Sequence, residues 1–392
     1  MKKLLLATTA TLLTTAATAD EVKMGVVLGF TGPIESLTPA IAGGAELAMS
    51  EVSESGKLLD GKTVTPVRGD STCVDAAAAT SVAERVITGD GVSGFVGAAC
   101  SGVTGAILAN VAMPNGMVMI SPSATSPALS EADDNGLFFR TAPSDARQSV
   151  VMSEILRENG VEEIAITYTN NDYGKGLADS LKASFEEAGG TVTIVAAHED
   201  GKADYSAEVG ALAAAGGEVL VVAGYVDQGG SGIVRAALDQ GAFDTFHFPD
   251  GMLSDTLTAN FGDEIEGSRG QNAAAKGDGA DMFAALAGDA FDPTGPYAGE
   301  AYDAAALIML AMQAAGSTAP GDYKDHVMSV ANAPGEVILP GQLGKALELL
   351  AAGEEINYEG VTAIEMIEPG ESAGTFREIV IEGGEITTVG YR

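Results

Sequence analysis

Short apolar segments alternate with longer helix-like segments over the first two thirds of the chain. Two of them, Val92–Val96 and Met117–Ile120, are apolar throughout, which is typical of strands buried on both faces. Between them, Val103–Val111 has the length and apolar content of a helix that connects neighbouring strands. Alternation at this spacing predicts a parallel sheet with right-handed crossover connections.

The alternation occurs twice, on either side of an extended segment at residues 138–143. The strands expected before that segment also include Val22–Leu28 and Val64–Arg68, and those expected after it are Ile164–Thr169, Val192–Ala196, Val219–Ala223 and Phe246–Phe248. One long helix is expected at Tyr297–Ala315, after a segment without clear pattern at residues 262–296. The tail from Tyr358 has the strand-like pieces of a hairpin. We therefore expect two similar α/β units in series.

Small hydroxyl-rich turns follow the two apolar strands of the first unit. Cys100-Ser101-Gly102 comes after the first strand, and the run 121–126 comes after the second. The carboxyl ends of parallel strands meet along the ligand crevice of an open sheet. Hydroxyl groups placed there can cap the next helix and can also donate to an anion. Two such turns on successive strands favour a site for a carboxylate or another small anion.

The N-terminal segment has the features of a secretory signal peptide. Two lysines precede the short apolar run Leu4–Leu13, and Ala17-Thr18-Ala19 forms a cleavage site before Asp20. We expect cleavage after Ala19 and a soluble periplasmic protein, since no later segment is apolar over a membrane-spanning length. The remaining 373 residues suggest two domains.

The composition limits the partners and the chemistry. Without Lys2 and Lys3 the chain has 18 basic and 55 acidic residues, a formal charge of −37 that disfavours nucleic acid and anionic membranes. The only two cysteines, Cys73 and Cys100, predict one disulfide in an oxidising compartment and not a metal site. The three histidines are scattered, so no metal or other cofactor is expected.

Two matches to enzyme motifs are in the wrong context. The P-loop pattern at Gly56–Thr63 follows a helix and precedes a strand, the reverse of what phosphate binding requires. The nucleophile-elbow pattern at Gly370–Gly374 has no histidine after it, although that fold needs one. We therefore expect a protein that captures a solute between two closing lobes, not an enzyme.

Several short motifs resemble, in order, those of the periplasmic branched-chain amino acid binding proteins of ABC transporters. These are Asp70–Val74 with the two cysteines, Cys100-Ser101, Ile120–Thr125, Phe139-Arg140-Thr141, Asp172-Tyr173-Gly174, Gly224-Tyr225 and Pro249-Asp250-Gly251. The resemblance covers nearly the whole mature chain. It implies the type I periplasmic binding protein fold, an α/β fold of two Rossmann-like lobes with parallel central sheets and three hinge crossovers. The implied division is residues 20–140 and 270–335 in lobe 1, and 141–269 and 336–392 in lobe 2.

The resemblance also implies a set of ligand-binding residues. Ser101 and Thr125 would hold the carboxylate of an amino acid. The carbonyl group of Ser123 and the carboxylate of Asp250 would hold its ammonium group. The remaining members of the set are Ala124, within the same turn, and Tyr173 and Tyr225, which would form the walls of the pocket. A buried zwitterion needs donors at one end and acceptors at the other, which agrees with this arrangement.

Two differences from the family leave the ligand open. Asp250 stands where members usually have Glu, and Ile34–Leu37 stands where an aromatic residue commonly covers the ligand. Because the chain has no Trp, an aromatic cage for a quaternary ammonium is hard to build from Tyr173 and Tyr225 alone. We expect a monomer that delivers an amino acid to an ABC permease. The alternatives are a sensor that docks on a receptor, and a binding protein for an amide, urea or an aromatic acid.

Overall fold

The computed structural model describes residues 21–392, so the predicted signal peptide and Asp20 lie outside the described residues. The strands are β1 Glu21–Leu28, β2 Thr63–Asp70, β3 Gly94–Gly97, β4 Met119–Ser121, β5 Phe138–Pro143, β6 Glu163–Thr169, β7 Thr191–His198, β8 Val219–Ala223, β9 Phe246–Phe248, β10 Arg269–Ala273, β11 Glu336–Ile338, β12 Ile356–Tyr358, β13 Met366–Ile367, β14 Glu371–Ser372, β15 Phe376–Glu382 and β16 Glu385–Tyr391. They form two seven-stranded sheets and one two-stranded sheet.

Helices cover the sheets and connect their strands. They are α1 Thr38–Ser55, α2 Ala76–Glu84, α3 Ser101–Ile107, α4 Met113–Asn115, α5 Asp145–Glu158, α6 Asp172–Glu187, α7 Ser206–Ala215, α8 Gly229–Gln240, α9 Asp255–Phe261, α10 Asp278–Ala287, α11 Ala298–Ala315, α12 Pro320–Tyr323, α13 Val327–Ala331 and α14 Leu343–Ala351. The expected α/β fold with two parallel-dominated sheets is confirmed.

The first sheet has the order β13-β14-β5-β4-β3-β1-β2, and its pairs from β2 to β14 are parallel. All residues of β3 and β4 are buried, as the unbroken apolar runs of the sequence predict. Helices α1 and α11 pack closely on each other next to this sheet. Their approach requires glycine at position 44, because a Cβ atom there would lie 2.0 Å from the carbonyl oxygen of Ala298.

The second sheet has the order β16-β15-β10-β9-β8-β6-β7. Strands β6 to β10 are parallel, and β15 and β16 form an antiparallel hairpin on the edge. The strand-like piece expected at residues 362–367 is not part of this hairpin, because Met366 and Ile367 join the first sheet. The segment 262–296, which has little pattern in the sequence, contains β10 and α10. Strand β10 carries Gln271 and Asn272 as buried polar residues, so it lacks the apolar alternation that would have indicated a strand.

The chain passes between the two sheets three times: after β5, after β10 and between β14 and β15. The third passage lies later than expected. The chain was expected to return to lobe 2 at residue 336, but β13 and β14 join the first sheet through β5, and the chain reaches the second sheet at Phe376. Strands β13 and β14 are only two residues long each, too short for a hydrophobic pattern to indicate which sheet they join. The rest of the proposed lobe division stays a prediction.

Cys73 and Cys100 form a disulfide across 27 residues, as predicted. It ties the loop before α2 to the residue that precedes Ser101. Replacing both cysteines with serine should lower the free energy of unfolding by about 3–4 kcal/mol, because the unfolded chain gains conformational freedom. Urea unfolding of the oxidised protein and of the variant measures this difference. An equal stability of the two proteins would contradict the prediction.

Candidate functional site

A pocket lies between the two sheets, where the carboxyl ends of several strands face each other. Its empty volume, including solvent at the mouth, is about 330 Å³. The lining residues are Ile34, Leu37, Ile41, Ala99, Cys100, Ser101, Ser123, Tyr173, Tyr225, Asp250, Gly251 and Tyr297. Five of the seven residues expected to bind ligand are among them: Ser101, Ser123, Tyr173, Tyr225 and Asp250.

The wall on the side of the first sheet combines hydroxyl groups with aliphatic side chains. Ser101 follows β3 as the first residue of α3, and its Oγ accepts a hydrogen bond from the backbone N–H of Ser126 at 3.1 Å. That bond leaves the Ser101 hydroxyl proton free to point into the pocket. Ile34 and Leu37 line the pocket with aliphatic side chains. This wall is therefore apolar with a small number of donors.

Ala124 and Thr125 are buried behind this wall and do not line the pocket. The backbone N–H of Ala124 donates to Ser121 Oγ at 3.0 Å, and its carbonyl oxygen accepts from Arg140 at 3.1 Å. The main chain of Ala124 is thus already occupied by protein partners. The hydroxyl of Thr125 is buried and has no hydrogen-bond partner of regular geometry in the described chain. A buried group of this kind is unusual unless something else satisfies it.

Arg140 holds the turn that carries these residues. Its guanidinium is buried, donates to the carbonyl oxygens of Ala124 and Ser126 at 3.1 and 2.9 Å, and pairs with Glu371 at 2.5 Å. Glu371 lies in the apparent nucleophile-elbow motif, so that motif contributes an ion pair on β14. Arg140 therefore fixes the position of the 121–126 turn and is not available as a ligand for a free anion.

Two tyrosines form the opposite wall, as the sequence suggests. The rings of Tyr173, at the start of α6, and Tyr225, after β8, stack with centroids 5.1 Å apart. Gly251 lies against them, since a Cβ atom there would lie 2.6 Å from the Gly224 carbonyl oxygen and 2.9 Å from the Tyr173 hydroxyl. Only glycine allows this close approach.

Asp250 is the charged group of the lining. It follows β9 and is buried. Tyr173 Oη donates to one carboxylate oxygen at 3.1 Å, and the hydroxyl of Tyr297 donates to the other. Burial raises the pKa of Asp250, while hydrogen bonds from Tyr297, Gln148 and Tyr173 act against that rise. These donors favour the ionised form, so this end of the pocket is suited to a cation.

Tyr297 belongs to the site, although the sequence pattern placed it simply as the first residue of the long helix. It precedes α11 with a left-handed backbone, φ 67°, which is rare for a residue other than glycine. Its buried side chain provides a third aromatic ring for the pocket. The resemblance implies Tyr173 and Tyr225 as walls, and Tyr297 lines the pocket together with them. Strained backbone of this kind concentrates at functional sites.

Asp145 is a second buried acid near the pocket that the sequence did not indicate. It is the first residue of α5, directly after the crossover from β5. Burial and the neighbouring charge of Asp250 raise the pKa of Asp145 well above its usual value. Gln148 lies between the two acids. Its side-chain amide donates to Asp145 Oδ1 at 3.3 Å, and it also lowers the pKa of Asp250. The site therefore contains two carboxyl groups in one hydrogen-bonded network.

This arrangement can bind an ammonium group near Asp250 and an anionic group near the Ser101 hydroxyl. No group of three or more His, Cys, Asp or Glu side chains suited to a metal ion occurs within residues 21–392. In the same residues, no helix is long and apolar enough to cross a membrane. Two lobes, three crossover segments and a polar cleft between them define the class of bilobal solute-binding proteins.

The family comparison agrees with that class. The periplasmic binding protein family model matches residues 21–336, and the chain belongs to this family. The Leu/Ile/Val-binding protein homolog 3 of Brucella melitensis is 32% identical over 216 residues, which are 55% of this chain and 57% of the relative. The aligned part thus spans just over half of that relative's length.

Solved structures show the same fold at low sequence identity. A branched-chain amino acid transporter substrate binding protein of Streptococcus pneumoniae, in complex with isoleucine, matches with a TM-score of 0.77 and 22% identity over 95% of this chain and 99% of its own. A solute binding protein of Rhodopseudomonas palustris, in complex with p-hydroxybenzoic acid, matches with a TM-score of 0.74 and 16% identity over 95% and 97% of the two chains.

Proposed function

We propose that this protein captures an amino acid, or a similar small zwitterion, in the periplasm and delivers it to an ABC permease without converting it. The observation that carries the proposal is the position of Asp250: a buried carboxylate with tyrosine donors, across a pocket from the Ser101 hydroxyl. A zwitterion offers the complementary pair of charges. The names of the Brucella and Streptococcus proteins support an amino acid as the ligand.

In this proposal Ser101 and Thr125 hold the carboxylate; Thr125 lies behind the wall in this structure, so its hydroxyl reaches the ligand only if the turn shifts when the ligand binds. The Ser123 carbonyl and Asp250 hold the ammonium group, and Tyr173 and Tyr225 form the walls. Ala124 acts through its place in the turn, because its own main-chain groups are bonded to Ser121 and Arg140. We further propose that the mature chain is a monomer, exported after cleavage following Ala19, and that no cofactor takes part.

An aromatic acid is the second candidate ligand, since a Rhodopseudomonas protein of the same fold is known with one. Asp250 argues against it. An aromatic acid has no cationic group, so Asp250 would stay buried without a counter-charge, which is costly. A sensor that docks on a receptor would need the same pocket. A neighbouring permease and ATPase in the genome would favour transport over sensing.

A thermal-shift screen of the mature protein tests the proposal. The compounds are α-amino acids, amides, urea, betaines and aromatic acids. A ligand present at a hundred times its dissociation constant should add about 2.7 kcal/mol of stability. Stabilisation by an aromatic acid, with no response to any amino acid, would contradict the proposal.

Selectivity for primary amines is a further expectation. Three tyrosines line the pocket, so the number of rings no longer argues against a quaternary ammonium. The argument that remains is hydrogen bonding, because a primary ammonium can donate to Asp250 and a betaine cannot. Calorimetry should therefore find an α-amino acid that binds more tightly than any betaine. Tight binding of a betaine alone would show the opposite.

One contact between the lobes should stabilise the closed form. The carboxylate of Asp227, after β8, accepts a hydrogen bond from the backbone N–H of Ser36 at 2.8 Å, and its own N–H donates to Pro33 at 3.4 Å. Replacing Asp227 with alanine removes the side-chain bond, worth about 1 kcal/mol. Ligand dissociation should then be roughly fivefold faster. The exposed Asp244, changed to alanine, is the control, and equal rates in both variants would contradict the prediction.

A further inference from the structure

We propose that Asp145 is a positioning residue of the ligand site: its carboxyl group carries a proton, donates it in a hydrogen bond to the Thr125 hydroxyl oxygen, and so directs the Thr125 proton at the carboxylate of the ligand. This inference rests on the proposed function for the role of Thr125. It concerns a residue that does not line the pocket and that the sequence did not single out.

The hydrogen bonds around Asp145 leave one of its oxygens for a proton. His247 Nε2 lies 2.5 Å from the Gln271 carbonyl oxygen, the Gln271 amide donates to Gln148 at 3.2 Å, and the Gln148 amide donates to Asp145 Oδ1 at 3.3 Å. Burial lowers the pKa of His247 to about 4, so the imidazole at the end of this chain is neutral. Asp145 Oδ1 therefore accepts a hydrogen bond, and Oδ2 is the oxygen free to bear the proton.

Asp145 Oδ2 and Thr125 Oγ1 are two buried atoms that each lack a hydrogen-bond partner of regular geometry in the part of the chain described. They belong to neighbouring residues, since the backbone N–H of Asp145 donates to the Thr125 carbonyl oxygen at 2.9 Å. A small adjustment of either side chain would let a protonated Oδ2 donate to Thr125 Oγ1.

The charges around Asp145 favour the neutral form. The negative charge of Asp250 raises the pKa of Asp145, and the positive charge of Arg140 lowers it. Arg140, however, is already paired with Glu371. Tyr173 and Tyr297 donate to Asp250, not to Asp145, so the two acids differ in the number of donors that stabilise a negative charge. Where two acids are close and one has more donors, the other holds the proton.

The other charged groups on elements that pack against α5 are occupied or exposed. On β15, Glu378 is paired with Arg269 and Arg392, and Arg377 donates to the side-chain oxygen of Asn272 at 3.2 Å. At the start of α6, Asp172 and Lys175 are exposed. None of these groups gives Asp145 a counter-charge. Tyr225 stays a neutral phenol, because burial and the nearby acids, Asp145 among them, raise its pKa.

The protonation of Asp145 determines what Thr125 can offer the ligand. A hydroxyl group has one proton. If Asp145 is ionised, Thr125 donates that proton to Asp145 and turns an acceptor oxygen toward the ligand carboxylate. If Asp145 is neutral, Thr125 accepts from it and its own proton is free to bind the carboxylate. Loss of a hydrogen bond to a charged group lowers affinity roughly tenfold to hundredfold.

Three single variants and one double variant test this with the amino acid that stabilises the wild-type protein most strongly in the screen above. Asp145→Asn keeps a neutral donor of the same shape and should bind within about threefold of wild type. Asp145→Ala should lose roughly tenfold or more, as should Thr125→Val. Adding Asp145→Ala to the Thr125→Val protein should then cost little further affinity, because Asp145 acts through Thr125. An Asp145→Asn protein that loses as much affinity as Asp250→Asn would overturn the proposal, since Asp145 would then be an ionised partner of the ammonium.

Infrared spectroscopy gives a readout that needs no ligand. The wild-type protein at pH 7 should show the carbonyl band of a protonated carboxylic acid, and the difference spectrum against Asp145→Asn should contain that band. A difference spectrum with carboxylate bands alone would overturn the proposal. If no amino acid binds the wild-type protein, the proposed function fails, while this spectrum still decides the state of Asp145.

Discussion

Replacing Asp250 with asparagine is expected to weaken the binding of an amine-bearing ligand by about 2–5 kcal/mol, roughly thirtyfold to several thousandfold. The reason is that the ammonium group would be buried without a counter-charge. The shape of the side chain and its contacts with Tyr173 and Tyr297 change little. Isothermal titration of the purified mature variant, with the amino acid that binds wild type, measures the loss.

A matched control separates this local effect from the overall charge of the protein. Asp244 is exposed at the opposite end of β9, so Asp244→Asn removes the same charge from the same lobe far from the pocket. That variant should bind as wild type does. The unliganded Asp250→Asn protein should be at least as stable as wild type, because a buried charge is replaced by a neutral group. Unchanged affinity in Asp250→Asn would remove Asp250 from the ligand site.

The sheets and the cleft could be predicted because their signals are local. Buried parallel strands are short apolar runs, and the turns after β3 and β4 are rich in hydroxyl groups. Two such turns at the same edge of one sheet place Ser101 and Ser123 on one wall of the pocket. Asp250 was indicated by the resemblance, through the Pro249-Asp250-Gly251 motif, and the structure places it just after β9.

Other parts of the site depend on long-range contacts that leave no local pattern. Tyr297 enters the pocket because its backbone is left-handed, and nothing in the Pro296-Tyr297 sequence indicates that conformation. Asp145 has the sequence position of an ordinary residue in the first turn of a helix, and only burial beside Asp250 makes it unusual. Ala124 and Thr125 were expected in the lining, but their turn lies behind it, held by the hydrogen bonds from Arg140 to the carbonyl oxygens of Ala124 and Ser126.

The return of the chain to the first sheet could not be predicted for a similar reason. Strands β13 and β14 are two residues each, and their place is set by pairing with β5 and by the Arg140–Glu371 ion pair. Neither a hydrophobic period nor a turn signal encodes a contact over such a separation in sequence. The resemblance to a family supplied the order of the motifs, but it did not indicate which distant residues hold the motifs in place through hydrogen bonds and ion pairs.

The largest effect on stability is expected from replacing Arg140 with methionine, which should lower the free energy of unfolding by about 3–5 kcal/mol. Arg140 is 1% exposed, and its loss leaves Glu371 and the carbonyl oxygens of Ala124 and Ser126 without their partner. Buried acceptors without donors are costly, and the carboxylate of Glu371, 15% exposed, loses its counter-charge. Because these carbonyls belong to the turn that carries Ser123 and Thr125, ligand affinity should fall as well.

The exposed pair Arg235–Glu264 is a suitable control, since its side chains are 40% and 52% exposed. Arg235→Met should cost no more than about 1 kcal/mol, because water solvates the remaining carboxylate. Combining Arg140→Met with Glu371→Leu should recover part of the stability by removing the unpaired charge, although the two carbonyls stay without donors. Urea unfolding of the four proteins gives the comparison. If Arg140→Met is no less stable than Arg235→Met, the buried guanidinium does not hold the turn in place, and the position of Thr125 beside Asp145 must come from packing alone.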